Sequence, residues 1–150
     1  MSNGLLKIKE LRDYATVYLN GMRISVLDRR LKQDSTIIDN VSPNSTLDIL
    51  VENNGRINYG PYLTDNRQGI TEKVTLNGDE LTGWKMYKFP FDNVAGFKYG
   101  YNKKMDSIQP ALYHGAFTLT QTGDTYLDMH GFGKGFVFLN GSNRFTQIIK

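Results

Sequence analysis

Few residues of this chain could do chemistry, and they are scattered. The four glutamates are Glu10, Glu52, Glu72 and Glu80. Acid–base cleavage of a glycosidic bond needs two carboxyl groups about 5 to 9.5 Å apart across that bond. None of the four lies in a motif that would hold it so. Glu52 follows an apolar run, where it can accept hydrogen bonds from nearby backbone or from Arg56; that role is structural. Asp124 reads as a turn residue and Asp128 as the polar face of a strand. His114 and His130 are the only histidines, and there is no cysteine. Their spacing matches no metal-ligand pattern, and neither a thiolate site nor a disulfide can form. The run Gly131-Phe132-Gly133-Lys134-Gly135 superficially suggests a phosphate loop. No Ser or Thr follows Lys134, and a strand pattern rather than a helix comes next, so it reads as a tight turn.

Binding chemistry has better candidates. A sugar site needs an aromatic platform for the apolar face of a pyranose and polar side chains for its hydroxyls. Trp84, Tyr87, Tyr59, Tyr62, Tyr99 and Tyr101 are candidate platforms. Trp84 opens a strand pattern, which favours a core position over an exposed one. The loop from Gly55 to Asn66 carries Tyr59 and Tyr62, with Arg56, Asn58, Asp65 and Arg67, and is the best binding surface in the chain. The candidate carbohydrate-binding residues are therefore Arg56, Asn58, Tyr59, Tyr62, Asp65, Arg67 and Trp84. A contact between domains is an equally good reading of that loop. Arg12-Asp13 and Asp28-Arg29-Arg30 read as structural ion pairs that tie strand ends together. No cofactor is expected: a structural calcium ion is compatible with the chain, but no acidic cluster with loop spacing indicates one.

Composition narrows the function classes. The 150 residues can make one domain or two small ones. Hydrophobic residues at 39%, with 12% aromatic, suffice for a packed core. A net charge of +3 without a long basic run argues against nucleic acid and for a mixed, solvated surface. No apolar run approaches a membrane span. The start Met-Ser-Asn-Gly-Leu-Leu-Lys has no apolar segment of signal-peptide type.

Strand signals dominate the elements. Asn20-Gly21 is a strong two-residue hairpin signal, because a type I′ turn needs positive φ at both central positions. It predicts the pairs Leu19–Met22, Val17–Ile24 and Ala15–Val26 on one face, with Thr16, Tyr18, Arg23 and Ser25 on the other. Thr46 to Glu52 alternates, with Leu47, Ile49 and Val51 on one face and Leu50 on the other. Further strands are predicted at Lys73–Leu76, Trp84–Phe89, Ala111–Thr120, Thr125–Met129 and Phe136–Leu139, and the tail from Phe145 could add one more. The pattern Val-x-Leu-Asn-Gly recurs at Val17, Val74 and Val137, either as a duplication or as a convergent hairpin signature. No segment shows sustained helical periodicity. The predicted fold is an all-β, antiparallel jelly-roll or β-sandwich.

Several of these stretches also carry a resemblance. The runs Leu-Arg-Asp-Tyr-Ala-Thr-Val-Tyr-Leu-Asn-Gly (11–21), Leu27-Asp28-Arg29-Arg30 and above all Leu-Asp-Ile-Leu-Val-Glu-Asn-Asn-Gly-Arg-Ile-Asn-Tyr-Gly (47–60) are similar to the β-rich region that follows the catalytic barrel in family 35 β-galactosidases. Gly69–Val74, Leu81-Thr82-Gly83-Trp84, Ala111–Gly115 and Asp124–Met129 through Gly135 continue it in the same order, so that it covers roughly residues 8 to 141. The resemblance implies galactose-binding-like jelly-roll modules and no catalytic glutamate, since those lie on a barrel outside the matched region. His114 stands where that family usually has Arg. The expected organisation is a first module at 4–91, a connecting loop at 92–108 and a partial second module at 109–150. It would be a non-catalytic accessory region; the alternatives are a free-standing galactoside-binding module and, disfavoured, a hydrolase in its own right. Its implied partners are a galactoside, the missing barrel, or another copy of the chain covering the second sheet. Members of the family are often secreted, periplasmic or lysosomal.

Overall fold

Both central residues of the Asn20-Gly21 turn have positive φ, 53° and 77°. That geometry folds β3 (Tyr14–Leu19) back onto β4 (Met22–Asp28), and Leu19 faces Met22 as predicted. The other predicted pairs differ. A β-bulge lies between the pairs Val17–Ser25 and Tyr18–Arg23, leaving Ile24 without an opposite residue. One extra residue in a period-two ladder exchanges the faces beyond it. Ala15 therefore pairs with Leu27 rather than Val26, and Leu27 is the residue turned into the core. Met22 and Ile24 stay exposed.

The computed structural model describes residues 2–61, 63–100 and 109–148. The chain divides into two compact units, Met1–Met86 and Tyr87–Lys150. The first contains β1 (Gly4–Ile8), β2 (Leu11–Arg12), β3, β4, β5 (Ser35–Ile38), β6 (Leu47–Glu52), β7 (Gly69–Ile70), β8 (Val74–Leu76) and β9 (Asp79–Glu80). A short 3-10 turn, Arg29–Leu31, follows β4, with the Asp28 carboxylate accepting from Arg30 N–H at its start.

All these strands pair antiparallel, in sheets ordered β5-β1-β8-β9, β4-β3-β6 and β2-β7. Alternation decides what each contributes to the core. In the first sheet Leu6 and Ile8 of β1 face Leu76 and Val74 of β8, and Ile38 of β5 joins them. In the second, Ala15 and Val17 of β3 lie opposite Val51 and Ile49 of β6. Leu6, Ile8, Ala15, Val17 and Ile38 are fully buried, and residues from both sheets form one apolar cluster. The first unit is thus a β-sandwich whose sheets share a single core.

The two Asn-Gly turns of this unit also tie their hairpins to the neighbouring strand of the same sheet through side chains. Asn20 Oδ1 accepts from Thr46 N–H at 2.9 Å. Asn77 Oδ1 accepts from Leu5 N–H at 2.9 Å while its Nδ2 donates to the Asn3 carbonyl. A side chain at Gly4 would fall on the Asn77 amide, so glycine there keeps this clasp open.

The second unit contains β10 (Lys134–Leu139), β11 (Ser142–Ile148) and a 3-10 turn at Val94–Gly96. β10 and β11 form the third Asn-Gly hairpin, with positive φ at Asn140 and Gly141. Its ladder carries a bulge between Val137 and Phe138, the same place in the Val-x-Leu-Asn-Gly pattern as the bulge in the β3–β4 hairpin. All three copies of the pattern are hairpin turns.

Trp84–Phe89, Ala111–Thr120 and Thr125–Met129, predicted as strands, are not strands. Alternation gives a strand only when a neighbour takes up its backbone N–H and C=O groups. Among the described residues these segments have no ladder partner, and Tyr87, Phe89, Phe117, Leu119, Tyr126 and Leu127 are exposed. The expected loop at 92–108 lies partly outside the described residues, as does the tail beyond Ile148. Among the described residues no helix is long and apolar enough to cross a membrane.

Candidate functional site

The loop between β6 and β7 is built around one buried arginine. Arg12 occupies β2, paired with Gly69 of β7, and only 7% of it is exposed. Its Nη1 donates to the Asp65 carbonyl at 3.1 Å and to the Arg67 carbonyl at 3.5 Å. Its Nη2 donates to Asp65 Oδ2 at 2.9 Å and to Glu10 Oε2 at 3.2 Å. Arg67 grips the same carboxylate from outside, through Nε at 2.8 Å and Nη2 at 3.1 Å. A planar guanidinium can satisfy carbonyls and a carboxylate together in this way, which an ammonium cannot. Asp13 secures the other end of the loop. Its Oδ2 accepts from Asn54 N–H at 3.2 Å and its Oδ1 from Arg29 Nη1 at 3.1 Å. The Arg12–Asp13 peptide bond is cis.

Sequence reading placed Arg12 with Asp13, whereas the structure gives Arg12 to Asp65 and Asp13 to Arg29. No local signal could have shown this, because Arg12 and Asp65 are far apart in the chain. The Asp28–Arg30 ion pair is present as expected, at 2.7 Å.

The candidate binding residues divide between frame and surface. Asp65 and Arg67 belong to the frame just described. Arg56, Asn58 and Tyr59 are exposed, Tyr59 at 89%. Leu63, also exposed, adds apolar surface to the same loop. Tyr62 lies outside the described residues. Trp84 is not in the core: it is 40% exposed and its indole N–H donates to the Leu81 carbonyl at 2.9 Å. Among its described residues the loop offers one exposed aromatic ring, Tyr59, with the exposed Arg56 and Asn58 in the same loop, on a tied base.

Glu10 and Asp65 meet at one Arg12 nitrogen, which makes them the closest thing to a carboxylate pair in this site. Their electrostatics fit a structural role. Hydrogen bonds from Arg67 first, and from Arg12 second, hold the Asp65 carboxyl well below the usual carboxylate range. A group so held stays ionised and has no proton to give as a general acid. In the second unit His114 stacks on Tyr99, ring centroids 4.9 Å apart, and His130 N–H donates to Asp128 Oδ1. Among the described residues no three His, Asp or Glu side chains are grouped to hold a metal ion.

The lowered Asp65 acidity makes a pH prediction. A carboxyl whose folded pKa lies below its unfolded value stabilises the fold above the unfolded pKa, about 3.9 for Asp. That contribution is lost as pH falls from there toward the folded value. Asp34, lowered by its hydrogen bond from Lys7, works in the same direction. Melting temperature followed from pH 6 downward should therefore drop below about pH 4. In Asp65→Asn the drop should be shallower from a lower starting point; an unchanged acid limb would contradict the role given to Asp65.

Comparison with known proteins agrees with this architecture. Residues 1–90 match the β-galactosidase first all-beta domain, and residues 110–144 match the β-galactosidase galactose-binding domain. A β-galactosidase of Xanthomonas manihotis is 38% identical over 143 residues, covering 93% of this chain and 23% of its own length. β-Galactosidase 17 of Arabidopsis thaliana is 38% identical over 118 residues, 67% of this chain and 17% of its own. Human β-galactosidase-1-like protein 2 is 31% identical, covering 95% of this chain and 23% of its own. The chain thus spans about a quarter or less of the length of these relatives. It belongs to the β-galactosidase family, in which it corresponds to the non-catalytic β-sandwich region.

Proposed function

We propose that this chain is an accessory region of a β-galactosidase-type glycoside hydrolase, and that the loop 53–68 is the surface by which it docks on the catalytic barrel. The observation that carries this reading is the loop itself: a buried arginine fixes its base while Tyr59 projects from it. An exposed aromatic on a pre-ordered frame costs little conformational entropy on association, which favours docking. Residues 4–91 are read as one module, 92–108 as the connection and 109–150 as part of a second.

Co-expression with the part of the Xanthomonas manihotis relative that this chain does not match tests the proposal. A stable complex is expected, weakened about tenfold or more by Tyr59→Ala. The chain alone should not turn over a nitrophenyl galactoside. Failure of the folded chain to form the complex, equal binding by Tyr59→Ala, or turnover that disappears in Glu52→Gln would each refute it.

A second reading is favoured by the galactose-binding match over residues 110–144. Free galactoside would then bind weakly, with a dissociation constant on the order of 0.1 to 1 mM, because one stacked ring and a few hydrogen bonds leave little after binding costs. NMR titration with galactose maps the surface involved.

A further inference from the structure

Three buried polar atoms of the first unit have no hydrogen-bond partner among the described residues: Arg12 Nε, Asn54 Nδ2 and Gln68 Oε1. All three belong to the base of the 53–68 loop. Gln68 precedes Gly69, the ladder partner of Arg12, and its Nε2 reaches the Gly55 carbonyl at 3.4 Å. Asn54, next to Gly55, is held by its own N–H to Asp13, the neighbour of Arg12. Arg12 spends its four terminal N–H groups on Asp65, Arg67 and Glu10, which leaves the Nε–H as the fifth donor. The Gly55 carbonyl sets the Gln68 amide, since exchanging its O and N would set two acceptors against each other.

Buried polar groups in folded proteins are nearly always satisfied, by protein or by ordered water. The orphan set here is two donors and one acceptor. An anion could accept from Arg12 and Asn54 but could not donate to Gln68, and a cation could accept from neither donor. Water can do all of it: its two lone pairs take the two N–H groups, and one O–H goes to Gln68 Oε1. Three bonds is the usual number for a buried water. We propose that the base of this loop binds one internal water molecule shared by Arg12, Asn54 and Gln68. Arg12 is then the positioning residue of the loop, acting through Asp65 on one side and through the water on the other. The inference refines the site of the docking loop, yet is read on the chain alone without any partner.

High-resolution crystallography of the full chain should show one water oxygen about 2.7–3.2 Å from all three atoms. Asn54→Leu removes one ligand of that water, and Gln68→Met removes another together with the long Nε2 bond to the Gly55 carbonyl; both leave the Asn54 backbone N–H to Asp13. In each, amide hydrogen exchange at Asn54 should quicken about fivefold, the effect of losing one net hydrogen bond. Exchange at Ile8, bonded to the Asp34 carbonyl in the sandwich, should stay as it was. The double variant should quicken Asn54 hardly more than either single one, because residues sharing one water lose it once. Multiplicative effects in the double variant, or a crystal structure in which protein atoms satisfy the three groups directly, would overturn the proposal. Loss of docking in Tyr59→Ala bears on the docking reading and leaves this one untouched.

Discussion

Leu6→Ala is expected to lower the stability of the sandwich by about 2–5 kcal/mol, the range for emptying a fully buried leucine site. Leu6 is 0% exposed and sits mid-strand in β1, opposite Thr36 on one side and Leu76 on the other. The strands that flank it in both directions limit how far the site can collapse, which places the cost in the upper half of that range. Each kcal/mol corresponds to about 4–8 °C in melting temperature for a domain of this size. Leu5→Ala is the control, since Leu5 lies on the opposite, exposed face of the same strand; its effect should stay within about 0.5 kcal/mol. Urea unfolding followed by circular dichroism checks both. Equal effects from the two substitutions would mean that the face assignment of β1 is wrong.

Arg12→Met should cost about 2–3 kcal/mol. Removing one partner of a buried ion pair costs about 3–5 kcal/mol when the remaining charge is stranded. Here the stranded carboxylates are not sealed in, as the Glu10 side chain is 45% exposed and that of Asp65 32%. Water can reach both, and Arg67 still holds Asp65, so the cost falls below that range. Arg12→Lys should lie between wild type and Arg12→Met, because an ammonium can pair with Asp65 but cannot also reach two carbonyls in a fixed plane. Denaturant midpoints measure the sizes. NMR shifts show the place: they should concentrate at residues 53–68 and leave Leu6, Val17 and Val74 unmoved. Shifts spread evenly over the core would show that Arg12 supports the sandwich as a whole rather than the loop.

How far the sequence carries the fold differs from element to element. The Asn20-Gly21 and Asn140-Gly141 turns were legible because a type I′ hairpin demands two residues tolerant of positive φ, and that demand is local. The inward faces of β3 and β6 were legible for the same kind of reason, since alternation in a half-buried strand is written residue by residue. The bulge at Ile24 was not. It moves Leu27 into the core in place of Val26, and apolar residues stand at both positions, so the pattern alone fits either register. The segments 84–89, 111–120 and 125–129 have strand-like composition, but a strand also needs a partner along its edge, which composition does not supply.

The loop from Asn53 to Gln68 divides in the same way. Its polar and aromatic residues mark it as a candidate binding surface by their types alone. What holds it was decided by tertiary structure: β2 and β7 pair across more than fifty intervening residues and bring Arg12 under Asp65 and Arg67. The chain's own residues determined which turns close, which faces are apolar and which family the chain resembles, because each of these is encoded at short range. Long-range pairing alone decided which arginine meets which carboxylate and which polar atoms are left at the loop base, because those depend on where strands distant in sequence come to lie.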